Sequence, residues 1–369
     1  MGNIRTIISR TLLLGLIRPV VSDCECGYSV NSTSSARHEV FTDLIESDFL
    51  FIQNISLDTD WSIQRYWTSY DPSSGYYGTN YTAANVVSNP LRNATLSSTE
   101  SELGGDAGLQ LYVRGDIQSN GLVPCGQVKT VRDDIQYGSF RTSMKLTPVN
   151  GTCSAFFSYY NDTQEIDMEL LSRQYGQYTL NSTTPFSPLN LVFHSIQSII
   201  DGYQLPNTST YGRPVLAVDL TSDYHEYRFD WTPDRVSFYF DGNWLWDLIT
   251  DVPSWNTAVL FSHWSNGASG WTQGPPEEDA IMTISYFKAY FNSSDSQRTS
   301  DYNNRCKEPS APNAICVIPN DPGNNTSSYF FSQHTNMTSN QTVYTGETSG
   351  TGRKPEAIHA VPVIPSIPS

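Results

Sequence analysis

The sequence predicts an all-β protein, a sandwich or barrel made of many short strands. Three observations support this. Aromatic residues make up 12% of the chain, together with 24 Gly and 21 Pro. Short segments rich in β-branched and aromatic residues recur between turn signals, and no long amphipathic helical pattern interrupts them. The 369 residues, of which 38% are hydrophobic, are enough to fill a complete core.

The predicted strands follow one another from Asp23 to about Asn292. Turn dipeptides such as Asp201-Gly202 and Asp241-Gly242 separate strand-like segments. The clearest strands are LQLYV (109–113), GSFRTSMKL (138–146), SAFFSYY (154–160), EYRFDW (226–231), VSFYF (236–240) and IMTISYFKAYF (281–291). No internal repeat is visible, so this region is expected to form one body.

The two ends of the chain differ in composition from this body. Residues 1–22 have the pattern of a signal peptide, with Arg5 and Arg10 before the apolar stretch 11–17 and small residues before Asp23. Residues 23–295 form the predicted domain, and 296–369 form a tail rich in Ser, Thr, Asn and Pro. Within this tail, residues 320–369 are expected to be disordered or extended.

Export is predicted by two further features. The chain carries thirteen Asn-x-Ser/Thr sequons, which are glycosylated only on the secretory route. It also has six cysteines, an even number that predicts disulfides in an exported protein. We therefore expect a secreted, glycosylated protein with no stable membrane insertion, because the apolar stretch near the start is too short to span a bilayer.

The pairing of the cysteines is not fixed by the sequence, since six cysteines allow about 15 pairings. Our interpretation pairs Cys125 with Cys153, and Cys24 and Cys26 with Cys306 and Cys316, which would attach the first part of the tail to the body. Zinc binding is a poorer reading, because the C-x-C pair has no second close pair.

The net charge of −16 argues against a nucleic-acid partner, which would need a concentrated basic patch. A neutral or cationic partner fits this charge, and so does acidity that only keeps the protein soluble. A monomer is the default expectation for an exported protein of this size.

The motif that carries chemistry is QEIDMEL, residues 164–170. In a strand, alternate side chains share a face, so Glu165, Asp167 and Glu169 would line one face while Ile166 and Met168 face the core. Three shielded carboxylates repel one another, and at least one pKa is expected to rise. Because this arrangement costs stability, it points to function.

Two structural readings compete with a catalytic one: a solvated outer face, and a calcium site built from three carboxylates. The catalytic reading predicts glycoside hydrolysis, in which one carboxylate attacks the anomeric carbon and another donates a proton to the leaving oxygen. Residues four apart on a flat strand have Cα atoms roughly 13 Å apart. We therefore expect a curved sheet that brings Glu165 and Glu169 together, and a retaining mechanism.

Glu165–Glu169 resembles the E-x-D-x-E signature of glycoside hydrolase family 16, and two further segments support the resemblance. YHEYRFDWTPD (224–234) with VSFYFDG (236–242) is similar to the family's downstream H-x-Y-x-x-x-W-T-P run. HWSNG (263–267) and GPP (274–276) resemble the cleft segment of secreted fungal members. The resemblance covers about residues 40–295.

The resemblance implies a β-jelly-roll sandwich of two curved antiparallel sheets with a concave substrate cleft. By position, Glu165 is the nucleophile, Asp167 the assisting carboxylate and Glu169 the acid/base. The motif Glu165–Glu169 has no extra residue between Asp167 and Glu169, whereas laminarinase-type members usually carry one. The resemblance therefore argues against an enzyme that is strictly specific for laminarin. No cofactor is required, and a structural calcium on the convex side is possible.

The sequence offers further substrate-binding candidates. Trp264, Trp271 and Tyr159 could stack on sugar rings, and each of the two Trp could equally be core. His263 is expected near the ladder in the family pattern, bonded to substrate or carboxylate, or else it is a satisfied buried histidine. Asn266 is expected as a polar contact.

The predicted activity is a secreted, retaining endo-β-glucanase acting on β-1,3- or mixed β-1,3/1,4-glucan of cell walls. A transglycosylase with the same catalytic residues is the first alternative. A non-catalytic carbohydrate-binding lectin on the same scaffold is an alternative of another class, against which the intact ladder argues.

Overall fold

A computed structural model describes residues 23–31, 38–71, 75–93, 100–178, 185–201, 207–320 and 329–333. The predicted signal peptide, residues 1–22, lies outside this part of the chain. The described residues are nearly all β, with helices at Ile196–Asp201 (α1) and Ser296–Arg305 (α2) and short 3-10 turns at Ile55–Leu57, Ala83–Asn85, Ser172–Gln174 and Phe331–Gln333.

The strands in chain order are β1 (Tyr28–Asn31), β2 (His38–Phe41), β3 (Asp43–Asp48), β4 (Trp61–Ile63), β5 (Tyr66–Thr68), β6 (Gly78–Tyr81), β7 (Val86–Asn89), β8 (Gly108–Val113), β9 (Leu122–Thr130), β10 (Ile135–Lys145), β11 (Cys153–Asn161), β12 (Gln164–Leu171), β13 (Gln177–Tyr178), β14 (Pro185–Pro188), β15 (Asn190–His194), β16 (Tyr211–Gly212), β17 (Val215–Leu216), β18 (His225–Thr232), β19 (Arg235–Phe240), β20 (Asn243–Leu248), β21 (Ala258–Trp264), β22 (Ala280–Ser293) and β23 (Cys316–Val317).

Two large sheets form a β-jelly-roll sandwich, which confirms the predicted fold class. The nine-stranded sheet has the order β16-β15-β12-β11-β21-β9-β6-β5, with β4 also paired to β9. The eight-stranded sheet has the order β20-β19-β18-β10-β22-β8-β7, with β3 also paired to β22. Pairing is antiparallel within both sheets except between β6 and β9, which run parallel. The strand with the carboxylate motif, β12, lies inside the nine-stranded sheet between β11 and β15.

One hydrophobic core fills the space between the two sheets. From β12 it takes the alternate residues Ile166, Met168 and Leu170, none of which is accessible to solvent. The stacked rings of Phe156 and Phe261, 5.1 Å apart between centroids, add aromatic packing from β11 and β21. Since alternate residues face opposite ways, this core fixes which face of β12 carries the charged residues.

The first part of the tail is packed against the body, and two disulfides hold it there. Cys24 is bonded to Cys316 and Cys26 to Cys306, which confirms that these four cysteines pair with one another. Helix α2 begins after Asp295, whose side chain accepts a hydrogen bond from the backbone N–H of Gln297 at 2.8 Å. Strand β23 then pairs with β1 in parallel.

Residues 329–333 depart from the expectation of a disordered or extended region. Phe330 and Phe331 are buried, and the Phe331 ring lies 5.0 Å from that of Tyr28. The carboxylate of Glu46 accepts hydrogen bonds from the backbone N–H groups of Phe331 and Ser332 at 3.0 and 2.8 Å. Two buried rings and a buried carboxylate therefore fix this segment, and the other residues of 321–369 lie outside the described part of the chain.

The predicted disulfide between Cys125 and Cys153 is wrong, because both residues are free, buried thiols. The topology explains this. Cys125 lies on β9 and Cys153 on β11, and β21 runs between them with Trp264 directly opposite Cys153. Two interstrand spacings separate the cysteines by roughly 10 Å, whereas a disulfide needs Cα atoms closer than about 7 Å.

No helix in the described part of the chain is both long enough and apolar enough to cross a bilayer.

Candidate active site

The three carboxylates of the motif share one face of the nine-stranded sheet, called the ladder face here. Glu165, Asp167 and Glu169 alternate along β12 with the core residues of the same strand. They lie opposite Tyr159, Phe157 and Ala155 of β11 in the strand register. The strand alternation predicted from the sequence is therefore confirmed, and it results from the apolar residues of β12 entering the core.

The carboxylates are almost fully shielded from water. Glu165 is 7% exposed, Asp167 3% and Glu169 8%. Burial raises the pKa of Glu165 well above its ordinary value, and the charge of Asp167 raises it further. Burial and then the charge of Asp167 also raise the pKa of Glu169, to about 7. The site therefore retains protons near neutral pH, as expected for like charges held together.

A histidine not identified from the sequence lies beside the central carboxylate. His194, at the end of β15, is opposite Glu165 in the strand register, and its Nε2 lies 3.2 Å from Oδ2 of Asp167. Burial lowers the pKa of His194, but the hydrogen bond and the charge of Asp167 outweigh this and raise it. An imidazolium at this position would partly offset the negative charge of the ladder.

A thiol and an indole contact the last carboxylate of the ladder. The Cys153 thiol donates a hydrogen bond to Oε1 of Glu169 at 3.3 Å, and the Trp271 side chain also hydrogen-bonds Glu169. Arg173 fixes the Trp271 loop, because its Nε donates to the Trp271 carbonyl at 2.7 Å and its Nη2 to the Gly270 carbonyl at 2.8 Å. Trp271 therefore contacts the ladder directly, whereas the sequence suggested either a stacking role or a place in the core.

Tyr159 and Trp264 also lie on the ladder face. Tyr159 is directly opposite Glu165 on β11, and its hydroxyl donates to Asp162 at 3.0 Å. Trp264 is opposite Cys153, is half-buried, and packs against a small cluster that contains Tyr81 and Cys125. Both positions are compatible with contact to a bound sugar chain, so their role in binding stays a prediction.

His263 does not lie on the ladder face. It follows Ser262 on β21, so its side chain points to the other face of the sheet, where it is fully buried. Nδ1 bonds the Leu111 carbonyl and Nε2 bonds the Thr152 hydroxyl, both at 2.9 Å, and burial lowers its pKa to about 4. The expectation that it approaches the carboxylates is corrected, and the alternative of a satisfied buried histidine holds.

Asn266 has a local structural role in the loop after β21. It is 6% exposed, and its Oδ1 accepts from the Ala268 backbone N–H at 3.1 Å and from the Thr272 hydroxyl at 3.3 Å. It therefore shapes the loop that carries Trp271. Direct contact between Asn266 and substrate stays a prediction.

The possibility of a structural calcium can be tested on the side chains of the described residues. A cavity near the end of β3 is lined by Glu46, Asp48, Asp58 and Asp60. In the described part of the chain, the one group of three metal-binding side chains within 4.8 Å of one another is Glu165, Asp167 and His194. The acids of this cavity therefore do not converge into a side-chain calcium site.

A sandwich with paired acidic residues on one sheet face has the side chains that a glycoside hydrolase acting on O-glycosyl bonds requires. Comparison with known families agrees. The family model described as glycosyl hydrolases family 16 matches residues 77–286, more than half of the chain. The chain belongs to this family, which confirms the resemblance inferred from the motifs.

Curated relatives are similar to this chain over somewhat more than half of its length. A beta-glucanase of Paenibacillus polymyxa is 23% identical over 214 residues, which are 55% of this chain and 78% of the relative. A beta-glucanase of Bacillus subtilis (strain 168) is 23% identical over 229 residues, 60% of this chain and 85% of the relative.

Solved structures show lower similarity. The Bacillus licheniformis beta-glucanase has a TM-score of 0.47 and 18% identity, over 67% of this chain and 97% of its own. A lichenase from a mouse hindgut metagenome has a TM-score of 0.48 and 17% identity, over 67% and 98% of the two chains.

Proposed function

We propose that the protein is a retaining endo-β-glucanase that cleaves β-1,3- or mixed β-1,3/1,4-glucan by double displacement. The observation that carries the proposal is the ladder: three buried carboxylates on one sheet face, without a Lys or Arg ion pair among the described contacts. The relatives named beta-glucanase support the substrate class.

In the proposed mechanism Glu165 is the nucleophile. Its Oε2 is buried and makes no hydrogen bond to any described residue, so this oxygen is available to attack an anomeric carbon. Glu165 and Asp167 are close enough to share a hydrogen bond when one of them is protonated. The attack requires the ionised form of Glu165, so any proton shared within this pair must leave the attacking oxygen first.

Glu169 acts as the acid and then as the base. Its pKa of about 7 keeps a large fraction protonated at neutral pH, so it can protonate the leaving oxygen. After the glycosyl-enzyme forms, the same carboxylate is ionised and takes a proton from the attacking water. All of these steps use side chains of the chain itself, so the reaction needs no cofactor.

The natural setting is part of the proposal. The signal-like segment at 1–22, the sequons and the two disulfides support secretion, and a glucan of cell walls is the substrate proposed for a secreted enzyme of this class. Trp264 and Tyr159 beside the ladder are the side chains proposed to stack on the sugar rings.

The test is product analysis on lichenan, laminarin and xyloglucan with wild type and Glu165→Gln. We expect wild type to cleave lichenan, with the β-configuration kept in the first product seen by NMR, and the variant to be inactive. Inverted products would contradict the double displacement.

Other results would select the alternatives. Joining of labelled oligosaccharide acceptors, with little hydrolysis, would identify a transglycosylase. Binding of the polymers without any change in chain length, equal in wild type and variant, would identify a lectin and overturn the proposal.

A further inference from the structure

One nitrogen and two carboxylates meet at the centre of the ladder, and the hydrolytic mechanism gives no role to the nitrogen. His194, Asp167 and Glu165 each present one ligand atom, and these three atoms all lie within 4.8 Å of one another. The closest pair, His194 Nε2 and Asp167 Oδ2, is 3.2 Å apart. All three side chains are more than nine-tenths buried.

The spacing suits a small divalent ion. Ligand atoms bound tetrahedrally at about 2.0 to 2.2 Å from Zn²⁺ are roughly 3.3 Å apart from one another. One pair already has this separation. A rotamer adjustment of Glu165 would bring its oxygen into the same shell, and this adjustment breaks no hydrogen bond of Oε2 among the described residues.

The ligand types identify the class of ion. An imidazole nitrogen with two carboxylate oxygens is typical of Zn²⁺ and related transition metals, whereas Ca²⁺ takes six to eight oxygens. Three protein ligands leave a fourth position open for water. The carboxylates of Glu169 and Asp162 lie close enough to act on His194, so the surrounding charge also favours a cation.

We propose that His194, Asp167 and Glu165 form a reversible inhibitory site for Zn²⁺ or a similar transition-metal ion. Because the ion would bind the oxygen of Glu165 that the reaction needs, it would compete with the glucan. Metal binding itself goes beyond the proposed function, while its inhibitory effect rests on it. Occupancy would hold the enzyme inactive until chelation or dilution releases the ion.

The experiment is calorimetric titration of the untagged full chain with ZnCl₂, using wild type, His194→Gln and His225→Gln. His225 is the matched control, because its Nδ1 also lies close to a carboxylate oxygen, 2.8 Å from Asp241 Oδ2, but on the eight-stranded sheet. We expect His194→Gln to weaken the tightest Zn²⁺ site by about tenfold or more, and His225→Gln to leave it unchanged.

Glu165→Gln removes a second proposed ligand and keeps the side-chain volume. It therefore tests the Zn²⁺ site independently if His194→Gln does not fold. We expect it also to weaken Zn²⁺ binding. In parallel, Zn²⁺ should inhibit lichenan cleavage by wild type competitively, and EDTA should restore the rate.

Three results would overturn the site: no Zn²⁺ binding to wild type, equal binding by wild type and both ligand variants, or Ca²⁺ binding as tight as Zn²⁺ binding. The two proposals can fail separately. Zn²⁺ binding that depends on His194, in a protein that cleaves no glucan, would keep the site and refute the glucanase. Cleavage unaffected by Zn²⁺ bound at this site would refute the inhibition alone.

Discussion

The two sheets bury carboxylates to the same extent but surround them differently. On the eight-stranded sheet, Asp230 is 3% exposed and receives two hydrogen bonds from Arg228, one of them from Nε at 2.8 Å. On the nine-stranded sheet, Asp167 is also 3% exposed, and its nearest neighbours include Glu165 and Glu169. Asp230 is therefore paired with a cation, whereas Asp167 lies between two other carboxyl groups.

The difference shows how the same residue type serves stability in one place and chemistry in another. Burial lowers the pKa of Arg228, but the charge of Asp230 outweighs burial and raises it, which is typical of a satisfied ion pair. Among the described residues, the His194 imidazole is the one side chain with a basic group that pairs with the ladder. Uncompensated burial costs stability but gives carboxyl groups that exchange protons near neutral pH.

The largest effect is expected from removing the first ladder charge. Glu165→Gln should lower kcat by a thousandfold or more, because the glycosyl-enzyme can no longer form. Thermal unfolding should be unchanged or shifted upward, because Gln keeps the side-chain volume and cannot carry a charge in this buried site. Steady-state kinetics and calorimetry of the same samples measure both quantities, and Glu277→Gln, an exposed change, is the control. A large fall in Tm would show that the ladder has a structural role.

On the eight-stranded sheet, removing a buried charge is expected to lower stability and to leave activity almost unchanged. Asp230→Asn leaves the buried guanidinium of Arg228 without its counter-charge and should cost about 3–5 kcal/mol of unfolding free energy. Activity per folded molecule should stay near that of wild type, because the site lies on the other sheet. Denaturant unfolding is the measurement, with the half-exposed Asp234→Asn as the control, expected to change stability by less than about 0.5 kcal/mol.

The raised pKa of Glu169 in the ladder should make the stability of the protein depend on pH. A carboxyl whose pKa rises to about 7 on folding binds its proton more tightly in the native state. Glu169 therefore stabilises the fold fully below about pH 4, and this stabilisation is lost as the pH rises toward 7. The unfolding free energy of wild type minus that of Glu169→Gln should fall by a few kcal/mol as the pH rises across this window. A flat difference between pH 4 and 8 would contradict the raised pKa.

The smallest effect is expected from the thiol beside the ladder. Burial, and then the charge of Glu169, raises the pKa of Cys153 well above its ordinary value, so the thiol stays protonated and donates. Its hydrogen bond favours the ionised form of Glu169, so Cys153→Ala should raise that pKa. The basic limb of kcat/KM, expected near pH 7, should move upward by a few tenths of a unit.

Cys125→Ala is the matched control for this change. Cys125 is also a buried free thiol, but it bonds the Val123 carbonyl at 3.3 Å instead of the ladder. A basic limb that moves equally in both variants, or moves downward in Cys153→Ala, would contradict a tuning role for the thiol.

The strands and the ladder could be predicted from the sequence because alternation along one strand is a local property. The predicted segments 109–113 and 281–291 lie within Gly108–Val113 and Ala280–Ser293. His194 could not be placed beside Asp167, because that contact depends on the register between β12 and β15. The same reason explains the error at Cys125 and Cys153, whose separation is fixed by the strand between them.

The two disulfides change the connectivity of the whole domain. They join residues 292 and 280 positions apart, so nearly the entire sandwich lies inside a covalent ring. Closing a loop of this length lowers the entropy of the unfolded chain by an amount equivalent to ~5–6 kcal/mol. A protease cut at any exposed loop between residues 26 and 306 would leave both fragments joined. A nicked molecule could therefore keep its active site in an environment rich in proteases.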